Sequence, residues 1–226
     1  MRRLRTVEIE HAAAFCPAGA RILEIGAGAG FQALRLQQLG IDIDAIDISL
    51  GDQQVFPVRK YDGIQIPWPP SSFDVVFTSN VLEPINGLPQ MQREITRVLR
   101  PGGVAVHVVP THSWRAWTTA TSAPAGLLAL ARRANWRRVI GPLLPLRHGV
   151  RGNILSETWL FHPRHWRRTF TADGFVVLRA EPMGLFYTGN ELLGPRLSVP
   201  LRQVLARLLG SACWIFEVAP RQSELP

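Results

Sequence analysis

RILEIGAGAG (residues 21–30), followed by FQALRLQQL (31–39), is a short apolar run, a glycine loop and an Ala/Leu/Gln-rich stretch with Leu34, Leu36 and Leu39 set among polar residues. That order predicts strand, loop and helix. Gly40 stops the helix, and IDIDAIDIS (41–49) reads as a second strand whose last acid, Asp47, lies seventeen residues beyond Gly30. Together these make a βαβ unit. Outward from it, SFDVVFTSNVL (72–82) reads as a buried strand with its loop. MQREITRVLR (91–100) reads as a helix closed by Pro101-Gly102-Gly103, and VAVHVVP (104–110) as a further strand. PRHWRRTFTADGF (163–175) is a helix with a Gly stop, VVLRA (176–180) a strand, PLRQVLARLLG (200–210) an amphipathic helix and CWIFEVA (213–219) a last strand. Strands alternating with helices imply an α/β fold on a parallel sheet.

Glycines 26, 28 and 30 sit between a buried strand and a helix, where missing Cβ atoms let a ligand approach the backbone. A dinucleotide loop needs G-x-G-x-x-G so that a pyrophosphate rests on the helix N-terminus. Here the pattern is G-x-G-x-G, with Phe31 at the place of the last glycine. Glu24 stands two residues before the first glycine, poorly matched to a phosphate and well matched to a cationic amine. A turn built only for packing is the plain alternative.

The 226 residues, 46% hydrophobic and 19% charged, suffice for one compact core, which excludes collagenous, coiled-coil and wholly disordered chains. A single domain over 1–226 is expected. The apolar runs 123–131 and 139–146 are too short to span a bilayer. Glu8, Glu10 and His11 interrupt what would otherwise resemble a signal peptide, so a cytoplasmic chain is expected. Cys16 and Cys213 show neither disulfide-framework nor metal spacing.

The net charge of +8 is concentrated. Residues 112–170 hold ten Arg against the single acid Glu157, whereas residues 1–111 carry a net −1 and 171–226 a net zero. Five of the seven Trp (114, 117, 136, 159, 166) fall in the same stretch, in runs such as WRAW, NWRR and HWRR. Arg beside Trp and Leu suits an amphipathic surface in an anionic membrane interface, or a lid over an anionic, phosphate-bearing substrate. A nucleic-acid surface ranks lower, because 123–146 is more apolar than a backbone-tracking groove requires. Solvated Arg with Leu and Trp covering the sheet or a subunit interface is the alternative without a function.

Four stretches, LEIGAGAG (23–30), AIDIS (45–49), YDGIQIPWPPSSFDVVFTSNVLEPI (61–85) and EITRVLRPGGVAVHVVP (94–110), closely resemble the class I S-adenosylmethionine-dependent methyltransferases of the E-x-G-x-G-x-G kind. The resemblance implies a Rossmann-like three-layer sandwich with a mostly parallel seven-stranded sheet and an antiparallel last strand. A basic, Trp/Arg-rich insertion at about 112–162 would face substrate or membrane. It implies S-adenosyl-L-methionine as cofactor: Gly26, Ala27, Gly28 and Gly30 beneath its methionine part, Glu24 near its amino group, and Asp47 on the ribose hydroxyls. Ile48 would lie on the adenine face, Asp62 and Gly63 beside the adenine amino group, and Asn80 near the sulfonium. From the residues alone Asp47 could be a turn residue, Ile48 core and Asp62 a solvated acid.

Many relatives read V-L-E-H-I after the fourth strand, whereas this chain has Pro84 in place of the His. His112, just past the carboxyl end of the fifth strand, is then the first candidate base and Glu83 the second; a loop histidine and a helix cap are their plainer readings. His162 and His165 lack an evident third ligand, and no metal is expected. VPTHSWRAWT (109–118), LFYTGNELLGPRL (185–197) and LGSACWIF (209–216) are similar to bacterial methyltransferases of cell-surface glycan or glycolipid assembly. The expected function is methyl transfer to a hydroxyl of a small molecule, sugar or lipid-linked glycan, with peripheral contact at the inner face of the membrane. The alternatives are a catalytically inactive cofactor- or RNA-binding protein and an NAD-dependent oxidoreductase.

Overall fold

The computed structural model describes residues 2–51, 53–83, 85, 87–131, 154–189 and 196–221, without side-chain detail for 2, 123–131 and 154–155. In chain order the elements are α1 (Arg2–Ala13), β1 (Arg21–Ile25), α2 (Phe31–Gln38), β2 (Asp42–Asp47), β3 (Arg59–Lys60), β4 (Phe73–Ser79), α3 (Leu88–Val98) and β5 (Leu99–Pro110). They continue with α4 (His112–Ala131), α5 (Ile154–Leu160), α6 (Pro163–Ala172), β6 (Phe175–Pro182), α7 (Val199–Leu209) and β7 (Cys213–Pro220). The seven strands form one sheet in the order β3-β2-β1-β4-β5-β7-β6, parallel from β3 to β5 with β7 running antiparallel. This is the Rossmann-like arrangement expected from the sequence.

The chain gathers into two compact units, one of residues 1–109, 167–181 and 215–226 and a second of 110–166 and 182–214. In the first, β1 lies between β2 and β4, and Ile22, Leu23 and Ile25 are fully covered, as a central parallel strand requires. On α3, Met91, Gln92, Ile95 and Val98 face inward at helical spacing, with Pro89 in the first turn, where its missing N–H costs nothing.

Two features depart from the sequence reading. Pro101-Gly102-Gly103 does not close α3; the helix ends at Val98, Leu99 turns extended, and β5 already pairs Leu99 with Phe73, a register shift absorbing the irregularity before Val104 meets Val75. The N-terminal stretch forms α1, with Ile9 and Ala12 buried. The polar residues that break its apolar pattern are paired: Glu8 with Arg5 at 3.0 Å, Glu10 with Arg35 at 2.6 Å and His11 with Glu181 at 2.8 Å.

His107 is a polar group inside the sheet. Its Nδ1 is 2.8 Å from Thr78 Oγ1, its ring stacks on Phe170, and burial pushes its pKa from 6.5 down to about 3. A depressed histidine contributes stability that is present above pH 6.5 and lost as the pH falls toward 3. Relative to His107→Leu, the wild-type protein should therefore lose up to about 1.4 kcal/mol of unfolding free energy per pH unit across that window, read by denaturant titration. Parallel profiles of the two proteins would contradict this.

In the second unit α4 and α5 are joined by Arg115 and Glu157, both buried, with Nε 2.7 Å from Oε2 as a charge contact rather than an aligned hydrogen bond. The segment's single acid thus neutralises Arg115, which is unavailable to an external anion. Arg164, Arg167 and Arg168 are exposed on α6, while Arg132, Arg133, Arg137, Arg138, Arg147 and Arg151 lie outside the described residues, as does Trp136. Trp159 is exposed, Trp166 is buried, and Trp114 and Trp117 are half-buried. No described helix is long and apolar enough to cross a membrane.

Candidate active site

The loop after β1 is held in a left-handed backbone at all three glycines, with φ of +78° at Gly26, +57° at Gly28 and +81° at Gly30. Their surroundings differ. A Cβ at Gly26 would collide with the Val81 side chain, and one at Gly30 would come within 2.6 Å of Phe56 Cβ. At Gly28 a Cβ would meet nothing within 4 Å. Gly26 and Gly30 therefore serve close packing, and Gly28 alone opens toward free space. Ala27 between them is nearly buried, and its N–H, like that of Gly26, donates to Ile46 O at the end of β2.

Asp47 closes β2 opposite this loop. Its Oδ2 accepts from Gly28 N–H at 2.7 Å and its Oδ1 from Ser49 N–H at 2.9 Å, so one carboxylate holds both the glycine loop and the chain leaving β2. Ile48 is 60% exposed, which removes the core reading, and its Cγ2 is 3.0 Å from where a Gly63 Cβ would stand. An apolar side chain thus lies beside a bare backbone segment, a setting for a flat ring. Asp62 is fully exposed and its Oδ1 accepts from Ile64 and Gln65 N–H at 2.8 and 2.9 Å; these bonds hold its carboxyl below the usual range. Tyr61 was not singled out by sequence reasoning. Burial, with the charges of Asp47 and Asp62 nearby, pushes its phenol up to about 12, so its hydroxyl keeps its proton between two acids. The only sequence signal for it is adjacency to Asp62.

Glu24 is almost wholly buried in β1. Burial pushes its carboxyl up to about 8, with the Ala33 N–H opposing and the Asp47 charge reinforcing, and Oε2 has no hydrogen-bond partner. Just after β4, Asn80 adopts φ +54°, a left-handed conformation that asparagine tolerates better than most side-chain-bearing residues, and its N–H donates to Val108 O at 2.8 Å. Glu83 follows in the same loop. Both of its carboxylate oxygens are buried without an aligned hydrogen-bond partner, and burial pushes its pKa up to about 7 against the pull of its own backbone N–H and of Arg5. Pro84 lies outside the described residues.

These groups come from the carboxyl ends of β1, β2 and β4 and the loop after β3, where open parallel sheets take ligands. A cavity of about 420 Å³, lined in part by Gly19, Asp74, Gly103 and Glu217, opens at the amino ends of the strands, away from this loop cluster. Its Asp74 is already tied to Arg21 N–H and Arg100.

Residues 23–107 match the family described as "Methyltransferase domain". The match covers well under half of the chain, and this segment is similar to the methyltransferase domains of that family. Among curated proteins, the bifunctional biotin biosynthesis protein BioHC of Cellvibrio japonicus is 36% identical over 93 residues, covering 38% of this chain and 18% of that protein. The 27-O-demethylrifamycin SV methyltransferase of Amycolatopsis mediterranei is 35% identical over 104 residues, covering 38% of this chain and 37% of that enzyme. The chain thus spans well under half the length of these relatives. A crystal structure of an S-adenosylmethionine-dependent methyltransferase from Archaeoglobus fulgidus superposes with a TM-score of 0.59 at 17% identity, over 96% of this chain and 94% of that one, which extends the common fold beyond the matched segment.

S-adenosylmethionine is the cofactor named for the Archaeoglobus fulgidus enzyme of the same fold. The residues present fit it. A buried carboxylate oxygen lacking a partner suits an ammonium group, the space over Gly28 suits a chain lying on bare backbone, and Ile48 with Gly63 suits an adenine. Glu24 then gives a pH-dependent prediction. A carboxyl at about 8 carries its proton near neutral pH, and an ammonium placed against it favours the charged form. Cofactor binding near pH 7 should release a proton, seen as a dependence of calorimetric heat on buffer ionisation enthalpy that Glu24→Gln abolishes. Equal heats in all buffers for the wild type would remove Glu24 from that role.

His112, the first-ranked base from the sequence, opens α4. Its ring stacks on His162 with centroids 4.7 Å apart; burial and that neighbour lower its pKa, and its Nδ1 is buried without a partner. His165 packs instead at a tilt against Trp159, and no group of three or more potential metal ligands occurs among the described residues.

Proposed function

We propose that this chain transfers the methyl group of S-adenosylmethionine to a hydroxyl of a sugar, lipid-linked glycan or related small molecule presented at an anionic membrane surface. The observation that carries the reading is the open, left-handed Gly28 with the Asp47 carboxylate bonded to it, the one glycine of the loop that close packing does not account for. Gly26, Ala27, Gly28 and Gly30 support the methionine part and Glu24 its ammonium. Asp47 receives the ribose hydroxyls, Ile48, Asp62 and Gly63 hold the adenine, and Asn80 borders the sulfonium. Bound cofactor supplies an electrophilic methyl on a good leaving group, so most of the protein's work is to align the attacking oxygen.

A hydroxyl nucleophile also has to lose its proton. Glu83 is better suited to this than His112, because a carboxylate near 7 with neither oxygen in an aligned hydrogen bond can accept a proton at neutral pH. The rate should rise with pH through about 7, as Glu83 ionises. Glu83→Gln should lower kcat about a hundredfold and remove that limb while leaving cofactor affinity intact. The assay is release of the demethylated cofactor against a panel of phosphorylated-sugar and lipid-linked acceptors. An unchanged rate in Glu83→Gln with a large loss in His112→Gln would transfer the role to His112.

The membrane part of the proposal is supported by charge. The unit of residues 110–166 and 182–214 carries eleven Arg against Glu157 and Glu191, a net +9. Phosphate-bearing lipids and lipid-linked acceptors share the anionic chemistry this excess selects, and a nucleic-acid partner is not part of the proposal.

A further inference from the structure

Helix α7 buries an arginine and exposes leucines. Its buried positions are Arg202 and Ala206, with Arg202 donating from Nη1 to Phe186 O at 2.9 Å and from Nε to Leu197 O at 3.2 Å. Beside the exposed Gln203 and Arg207 it presents an apolar stripe to the outside: Leu201 is 45% exposed, Val204 50% and Leu208 76%, with Leu205 half-buried beside them. The spacing i, i+3, i+4, i+7 puts all four on one stripe. An apolar stripe normally turns to the core, and here a guanidinium satisfied by two backbone carbonyls occupies the inner side instead. The sequence pattern alone reads as an amphipathic helix; in the structure Arg202, bonded to Phe186 O and Leu197 O, takes the inner side.

We infer that α7 docks this protein on an anionic lipid surface, with Leu201, Val204, Leu205 and Leu208 entering the acyl boundary. Charge favours this occupant. The helix contains no acid, Arg196 just before it and Arg207 within it are exposed, and the only described acid of its unit, Glu157, is buried against Arg115. Apolar side chains flanked by exposed Arg, with no exposed carboxylate among the described residues of the unit, match the pattern of an interfacial helix. Trp159, 61% exposed on α5 of the same unit, is a second side chain of interfacial type. The inference rests on the membrane part of the function proposed above and adds the element that inserts, one distinct from the Arg/Trp-rich stretch.

The test is co-sedimentation of the full chain with vesicles of phosphatidylcholine alone and of phosphatidylcholine with phosphatidylglycerol, for wild type and for L201S/V204S/L208S. Since each buried aliphatic side chain contributes substantially to partitioning, the triple variant should bind the anionic vesicles about a hundredfold more weakly. It should keep its cofactor titration unchanged, which reports an intact fold. Wild-type binding should also require the anionic lipid and weaken with salt. If both proteins bind anionic vesicles equally, the membrane reading stands through the Arg and the role of α7 is overturned. If neither binds, both fall. If the wild type is a dimer by sedimentation velocity, the variant a monomer and vesicles capture neither, the stripe is a contact between copies and the inference is overturned.

Discussion

Gly28→Asn is expected to leave the protein folded and unable to hold S-adenosylmethionine. At φ +57° a side chain is strained, but asparagine tolerates the left-handed region better than other residues, and a Cβ there meets no atom within 4 Å. The cost to stability should stay near 1 kcal/mol, a thermal shift of a few degrees, while cofactor affinity falls at least about a hundredfold because the side chain fills the space the ligand needs. Gly26→Ala is the contrast. Its backbone is equally left-handed and its new methyl would run into Val81, so strain and overpacking add to roughly 2–4 kcal/mol and the variant should unfold early. Thermal denaturation paired with cofactor titration separates the two. A Gly28→Asn protein that binds normally would show that the loop's openness has no ligand behind it.

Asp47→Ala carries the second large effect. The carboxylate makes two short bonds, to Gly28 N–H and Ser49 N–H, and retains acceptor capacity for a diol, so one residue orders the loop and offers charge-assisted hydrogen bonds to the ribose. Removing it leaves two backbone donors without these acceptors and deletes the ribose contacts. Affinity for the cofactor should drop by roughly a hundredfold or more, at 1.5–3 kcal/mol per hydrogen bond to a charged group. Asp47→Asn, which keeps one oxygen, should recover stability more than affinity. If Asp47→Ala binds the cofactor with wild-type affinity, the assignment of Asp47 is wrong, whatever the variant's stability.

Much of the first unit was legible because its signals are local. RILEI forms β1 over the residues expected, the glycine loop follows it, and Asp47 ends β2 facing that loop, since an apolar run, a left-handed turn and a strand-end acid each act over a few residues. What escaped depends on partners far away in the chain. Helix α1 hides behind Glu8, Glu10 and His11, which pair with Arg5, Arg35 and Glu181 and so do not behave as surface breaks. Strand β3 is two residues long and exists only by pairing with Ile46 and Asp47. The Pro-Gly-Gly run reads as a stop, but β4 recruits Leu99 into pairing before it.

Side-chain environments followed the same division. That Ile48 is exposed beside Gly63, that Tyr61 feels the charges of two acids and that the Glu83 carboxylate oxygens are buried are tertiary facts with no pattern in the sequence to announce them. The Arg-rich segment shows the converse error. Composition treats its ten Arg as one cationic surface, whereas Arg115 is consumed by Glu157 in the interior. Helix α7 reads as amphipathic, yet Arg202 faces in, bonded to the carbonyls of Phe186 and Leu197, while Leu201, Val204 and Leu208 are exposed.

The most direct measurement of the central claim is a parallel calorimetric titration of extensively dialysed protein with S-adenosylmethionine, its demethylated product and NADH. Saturable binding of the first two at about one per chain, with no heat from NADH, is the expected result for a loop with Phe31 at the third dinucleotide glycine and Glu24 beneath the ligand. Binding of NADH alone, or of none of the three, would contradict it.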